Sequence, residues 1–330
     1  MKFVMALLLA MSVMPAQGEE PDGPWWWFDD RKYYEPLIAG VREPHLSALA
    51  LGHGTRVEFQ VSDDDPRRIW DIDVGGELPL VGGEWGAARD GRMGAKGFGI
   101  GLWIPIHFHM LSDHDDRSGP IVNNDYNFGG MIKAQYGVTA TRAIGARLHV
   151  GHESTHLGDE FSLVGEREHR FTFERINVSW EYLDLGMLYE DVAAKPRFKI
   201  RTGVIANLRG SYYETGPDSI TFSARGPVVR SHNRRDYYAG IDLLWEEKLG
   251  KWDVYASGEL QWRTVYNYHR PTRDTPEDRE PSLNIIVGTK INGANRASPF
   301  LRYYRGVNPH GQFRNQKDYT EMGIGIRLVR

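Results

Sequence analysis

The chain has 330 residues, with 40 lysines and arginines against 44 aspartates and glutamates, a formal net charge of −4 and no cysteine. The lack of cysteine excludes disulfides, thiolate metal sites, a nucleophilic thiol and a lipidated cysteine, and the interspersed, nearly balanced charges argue against nucleic-acid binding. Aromatic residues make up 12% of the chain and there are 37 glycines, a profile that soluble β-proteins share with membrane barrels, whose alternating strands average to a polar hydropathy.

Met1-Lys2 opens the chain with a basic residue, residues 3–14 are almost wholly apolar, and Ala16-Gln17-Gly18 supplies small residues before Glu19. This predicts a secretory signal peptide over 1–18. The run is too short, with those flanks, for a spanning helix, and no later stretch approaches eighteen apolar residues. Residues 19–44 form a periplasmic or interfacial segment. Its Trp25-Trp26-Trp27-Phe28 suits either an anchor in the headgroup layer or a packed periplasmic cap or plug.

From 45 to 330 the dominant signal has a period of two. Trp252, Val254, Ala256, Gly258, Leu260 and Trp262 share one face, while Asp253, Tyr255, Ser257, Glu259, Gln261 and Arg263 share the other. That alternation is a strand with an apolar and a polar face, and its length suits a membrane-spanning strand of about nine to eleven residues. The pattern predicts twelve strands: 46–61, 67–80, 96–110, 122–137, 141–154, 171–191, 197–213, 236–248, 251–266, 282–292, 297–306 and 319–329. The alternation slips after Tyr182, which predicts a bulge in the sixth. Short turns at 137–141, 248–251 and 292–296 alternate with longer polar loops at 111–121, 155–170, 214–235, 267–281 and 307–318. A long connection over 81–95, on the short-turn side, breaks that rule.

The expected fold is all-β: an antiparallel transmembrane β-barrel of about twelve strands in a bacterial outer membrane, with long loops outside and both termini in the periplasm. The alternative is a soluble β-sandwich or periplasmic barrel that buries its apolar faces against each other. The chain ends Leu328-Val329-Arg330, without the C-terminal aromatic residue usual in outer-membrane barrels.

The densest chemistry lies in Gly151-His152-Glu153-Ser154-Thr155-His156-Leu157-Gly158-Asp159-Glu160-Phe161. Ala146, Leu148 and Val150 set an apolar phase that His152 and Ser154 continue. On the next strand Ile176, Val178, Trp180 and Tyr182 set a phase that Glu174 continues. Polar residues on a lipid-facing surface are costly unless they satisfy one another. The expected site is therefore an outward Ser-His-Glu triad, with Ser154 as nucleophile, His152 as general base and Glu174 orienting the imidazole. His156, Asp159 and Glu160 are candidate ligands for calcium or another divalent ion in the outer loop. The same string matches HExxH, but a zinc protease needs both histidines on one face of a helix, and the flanks here read as strand. His107 and His109 fall on the inward phase and are expected to line or fill the interior.

The His152-Glu153-Ser154 pair followed by Glu174 on the next strand resembles the outer-membrane phospholipase A and lipid A 3-O-deacylase families. The first of these is calcium-dependent. The resemblance implies a serine acyl hydrolase acting on outer-membrane phospholipid or lipopolysaccharide. A broader resemblance rests on four strings: the one from Pro36 through Val41 to Pro44, Ser154-Thr-His-Leu-Gly-Asp-Glu-Phe161, Glu174-Arg-Ile-Asn-Val-Ser179, and the one from Tyr304 through Pro309 to Phe313. These resemble the domain of unknown function 1207 family of bacteria, which implies an outer-membrane barrel without assigning an activity. The expected partners are outer-membrane lipids and the barrel-assembly machinery. The competing function is a non-enzymatic structural barrel or small-solute pore, and the mixed charges of the inward faces point to an internal salt-bridge network.

Overall fold

The computed structural model describes residues 25–28, 38–40, 43, 46–51, 69–86, 88–89, 92–93, 95–113, 121–157, 175–215, 229–231, 235–249, 252–265, 279–291, 296–311, 314 and 317–329. The expected signal peptide, residues 1–18, lies outside them. Its strands in chain order are β1 (Trp25–Trp27), β2 (Leu46–Leu51), β3 (Ile69–Trp85), β4 (Ala88–Arg89), β5 (Arg92–Met93), β6 (Phe98–Asp113), β7 (Ile121–Gly137), β8 (Arg142–Leu157), β9 (Arg175–Asp191), β10 (Arg197–Thr215), β11 (Val229–Ser231), β12 (Arg235–Leu249), β13 (Trp252–Thr264), β14 (Arg279–Ile291), β15 (Arg296–Gly306) and β16 (Tyr319–Val329).

Twelve of these strands close into a ring. β3 pairs with β6, and the antiparallel order continues through β7, β8, β9, β10, β12, β13, β14, β15, β16 and β2 back to β3. Such closure is the condition a sheet must meet where no water can satisfy backbone N–H and C=O groups. β1 adds to β3, β11 adds to β10, and β4 with β5 forms a separate two-stranded hairpin. That hairpin and the extension of β3 to Trp85 fill most of the connection expected over 81–95.

The alternation is inside out relative to a soluble protein. On β13 Asp253, Ser257, Glu259, Gln261 and Arg263 are buried, while Trp252 and Trp262 on the opposite phase are exposed. Met187 and Ile324 are each 66% exposed, whereas Glu321 and Glu259 have at most 1% of their surface accessible. A sandwich would bury the apolar phase and expose the charged one. This barrel does the reverse, so its outer surface is built for lipid.

The predicted bulge moves by one strand. β9 keeps its phase from Trp180 to Leu188, and the extra residue is Leu208 of β10, because Asn207 faces Tyr182 and Arg209 faces Glu181. The apparent slip came from reading Trp180 and Tyr182 as lipid-facing aromatics. Both are buried inward. The Arg314 guanidinium lies 4.1 Å from the Trp180 ring centroid, and the Tyr182 hydroxyl donates to Asn127 Oδ1 at 2.7 Å.

Of the N-terminal segment, Trp26, Ile38, Ala39 and Glu43 pack into the barrel interior. In β1, Trp26 is buried against Trp103 and Met131, while Trp25 and Trp27 are exposed. The period of two thus decides which indole packs inward and which two lie on the exposed phase. Further along, the Ile38 N–H donates to Asp242 at 3.2 Å and the Ala39 N–H to Ser257 Oγ at 2.7 Å. Asn284 Nδ2 donates to the Ala39 carbonyl at 2.7 Å, and Arg327 Nη2 to the Ile38 carbonyl at 2.9 Å. Glu43 accepts two bonds of 2.8 Å from Arg147 Nη1 and one from Arg201. From the other end, residues of the β15–β16 connection are buried: Val307, Asn308 and His310 are fully enclosed, and Arg314 donates to Glu153 at 3.1 Å. Two voids of about 10 and 20 Å³ lie among these groups, room for about one water each. Planar-bilayer recordings on the refolded barrel are therefore expected to show no stable open conductance, and a persistent ohmic channel would contradict this filling.

Candidate functional site

The site is built by three neighbouring strands. β7 pairs with β8 so that Asn124 faces His156, Tyr126 faces Ser154 and Phe128 faces His152. β8 pairs with β9 so that Ser154 faces Ser179 and His152 faces Glu181. On β8, Gly151, Glu153 and Thr155 are buried inward. His152, Ser154 and His156 take the opposite phase and lie on the outer wall, as expected for the first two.

Contacts within this patch pair the side chains differently from the expected triad. Ser154 Oγ lies 2.9 Å from Nε2 of His156, so the serine's imidazole partner in this structure is His156. His152 Nδ1 lies 3.6 Å from Glu181 Oε1, and its ring packs 5.1 Å from that of Phe128. The His156 ring meets the Tyr126 ring edge-on at 5.8 Å, and the Tyr126 hydroxyl accepts from Asn124 Nδ2 at 2.7 Å. Glu174 lies outside the described residues. Trp180 and Tyr182, whose phase was expected to carry it outward, face the lumen. The carboxylate beside His152 is instead that of Glu181, which shares its phase with Ser179, Leu183, Leu185 and Met187. Parity along an unbroken β9 would have pointed to Glu181, and parity along β8 to His156.

The HExxH reading is excluded by the same alternation. Glu153, which would be the base, points into the barrel and pairs with Arg314, on the opposite side of the wall from His152 and His156. Of the expected calcium ligands, Asp159 and Glu160 lie outside the described residues, while His156 is the partner of Ser154.

The lumen holds a separate ionic system. Arg147 bridges Glu43 and Asp184, and Arg201 bridges Glu43 and Glu259. Burial by itself pushes the Glu43 carboxyl up, but the Arg147 and Arg201 charges outweigh it and hold the group well below the usual carboxylate range. His107 and His109 do line the interior, with His107 Nε2 2.9 Å from Asp73 and His109 Nε2 2.6 Å from Asp71.

Chemically, the outer patch offers a hydroxyl bonded to an imidazole nitrogen, with a second imidazole beside a carboxylate on the same phase and Asn124, Tyr126 and Ser179 around them. That is the arrangement acyl transfer needs, with a nucleophile and a base within hydrogen-bond reach.

A family model described as protein of unknown function (DUF1207) matches residues 28–209. No curated protein matches the chain in sequence. Among solved structures, the translocator domain of the autotransporter NalP from Neisseria meningitidis is similar at 10% identity and a TM-score of 0.41, with 87% of this chain and 88% of that one covered. The β domain of the Bordetella autotransporter BrkA is similar at 9% identity and a TM-score of 0.36, with 86% of this chain and 96% of that one covered. The transport unit of the autotransporter AIDA-I from Escherichia coli is similar at 12% identity and a TM-score of 0.36, with 99% of this chain and 97% of that one covered.

Proposed function

We propose, starting from a chain that belongs to the DUF1207 family, a Gram-negative outer-membrane barrel with a filled lumen that acts as a serine acyl hydrolase from its outer wall. The substrates are acyl esters of phospholipid or lipid A presented by the surrounding leaflet. The observation that carries this reading is the 2.9 Å contact between Ser154 Oγ and His156 Nε2 on the lipid-facing phase of β8. The exposed apolar wall and the short turns at one rim support the membrane setting.

In this reading Ser154 Oγ attacks the ester carbonyl carbon while His156 Nε2 takes its proton. The imidazolium then protonates the departing alcohol oxygen as the carbon–oxygen bond breaks, leaving an acyl-serine. A water, deprotonated by the same imidazole, releases the fatty acid and restores the hydroxyl. His152, set against Glu181, supplies a second donor near the reacting group and stands as the alternative base. Glu174, Asp159 and Glu160 enter as proposals: the first as a further acid for either imidazole, the other two with calcium at the loop.

The test is acyl release from labelled outer-membrane lipids by the refolded protein, with and without calcium. Ser154→Ala and His156→Ala are each expected to reduce turnover by on the order of 10³-fold or more, and His152→Ala by far less. Equal loss in His152→Ala would transfer the base role to His152. Release unchanged in Ser154→Ala, or no release from either lipid class, would sink the hydrolase.

A second reading has its own observation. Ionic and hydrogen-bonded filling from both ends of the barrel suits a structural element without turnover, and the absence of lipid hydrolysis would leave that reading standing.

A further inference from the structure

Three residues far apart in sequence meet inside the barrel. Asp71 of β3, His109 of β6 and His310 of the β15–β16 connection bring one carboxylate oxygen and two imidazole nitrogens within 4.8 Å of one another. All three are buried. Their surroundings look built. Arg302 Nη1 donates to Asp71 Oδ2 at 2.9 Å, which leaves Oδ1 facing His109. The His310 ring lies 4.1 Å from the His109 ring, centroid to centroid. Its backbone is fixed on both sides, since the His310 N–H donates to Asn308 Oδ1 and the Gly311 N–H to Asp125 Oδ2, each at 3.0 Å.

The second, independent observation is His310 itself. It is wholly enclosed, yet among the described residues neither Nδ1 nor Nε2 has a hydrogen-bond partner. Its nearest carboxylate, Asp125 Oδ2, stands 4.0 Å from Nδ1. Buried polar nitrogens are ordinarily satisfied. An ordinary ion pair accounts for His109 with Asp71, but it leaves the third member without a role.

We propose that Asp71, His109 and His310 bind a divalent first-row transition-metal ion of the zinc class, which pins the β15–β16 connection to the inner wall of the barrel. Two imidazole nitrogens and one carboxylate oxygen form a donor set suited to zinc and its neighbours, whereas calcium and magnesium prefer oxygen throughout. Binding replaces the proton shared by His109 Nε2 and Asp71 Oδ1, which leaves to solvent. Arg302, holding the other oxygen of Asp71, orients the carboxylate from outside the ligand set. This site is separate from the outer-wall patch, on the opposite side of the barrel wall.

The experiment uses full-length refolded protein loaded with cobalt(II), zinc or calcium, freed of excess ion by gel filtration. Wild type is expected to retain about one cobalt per chain with visible ligand-field absorption, to exchange it for zinc, and to keep it in excess calcium. His310→Ala and His310→Gln, checked for folding by their gel mobility shift on heating, are expected to lose the ion. His156→Ala, on the outer wall, is expected to retain it. Retention by folded His310 variants, loss in His156→Ala, or displacement by calcium would each overturn the assignment. If neither His310 variant folds, the wild-type titration still decides: no cobalt absorption, or binding of several ions without a stoichiometric end point, refutes the site.

Discussion

Replacing Glu43 with alanine is expected to destabilise the folded barrel by about 3–5 kcal/mol, the range seen when one partner of a buried ion pair is removed. Glu43 is almost wholly enclosed and receives both Arg147 and Arg201. Without it, Arg147 keeps Asp184 and Arg201 keeps Glu259, but the carboxylate they share is gone. Urea unfolding in detergent micelles, followed by the gel mobility shift, measures the change. Glu43→Gln should be milder than alanine, since it keeps shape and an acceptor, and a joint Glu43→Leu, Arg201→Met replacement should recover part of the loss. A Glu43→Ala barrel as stable as wild type would show that the clamp contributes nothing. The pH dependence follows from sign. Glu43 has a folded value depressed below its unfolded one, so its stabilisation is complete above the ordinary glutamate range. It is lost progressively as pH falls below that range. Comparing wild type with Glu43→Gln over that acid limb isolates this one group.

Trp26→Ala is expected to cost about 3–5 kcal/mol, as for other large-to-small changes at fully buried aromatics. The Trp26 ring lies 5.6 Å from that of Trp103, centroid to centroid, and covers two glycines, Gly82 and Gly101. A Cβ at Gly82 would come within 2.2 Å of the indole, and one at Gly101 within 2.8 Å. The indole lies where side chains at Gly82 and Gly101 would otherwise be, so truncation opens a cavity. Trp25→Ala and Trp27→Ala are the internal controls, with exposures of 54% and 68%, and should change unfolding by well under half as much. Equal effects from all three would refute the division of labour along β1.

The architecture was legible because lipid on one side and a charged lumen on the other impose strict alternation, and alternation survives in the sequence. The apolar phase of β13 and the inward phase of His107 and His109 on β6 both read correctly. β9 did not, because Trp180 and Tyr182 are apolar by type yet face inward, where Arg314 and Asn127 receive them. That single error of phase brought a bulge into the wrong strand and hid Glu181, which lies beside His152. The outward placement of His152 and Ser154 was readable from β8 alone. The pairing of Ser154 with His156 was not, since both histidines sit two residues from the serine on the same face and parity cannot choose between them. The lumenal group of Asp71, His109 and His310 was out of reach for a different reason. Its members come from β3, β6 and a loop, and only closure of the ring brings them together.

The residues before β2 contact both neighbours of that strand. β1 pairs with β3 at Val81, Gly82 and Gly83, and Arg327 of β16 donates to the Ile38 carbonyl. Among the described residues, β2 joins β16 and β3 over five registered positions each. It is the place where the first and last strands of the ring meet. Parting β2 from β16 would also pull on a tether anchored across the lumen through Glu43, so the seam behaves as a stitched hem. In the closed ring, then, the contacts of Trp25–Trp27, Ile38, Ala39 and Glu43 hold down the same stretch of wall that β2 closes.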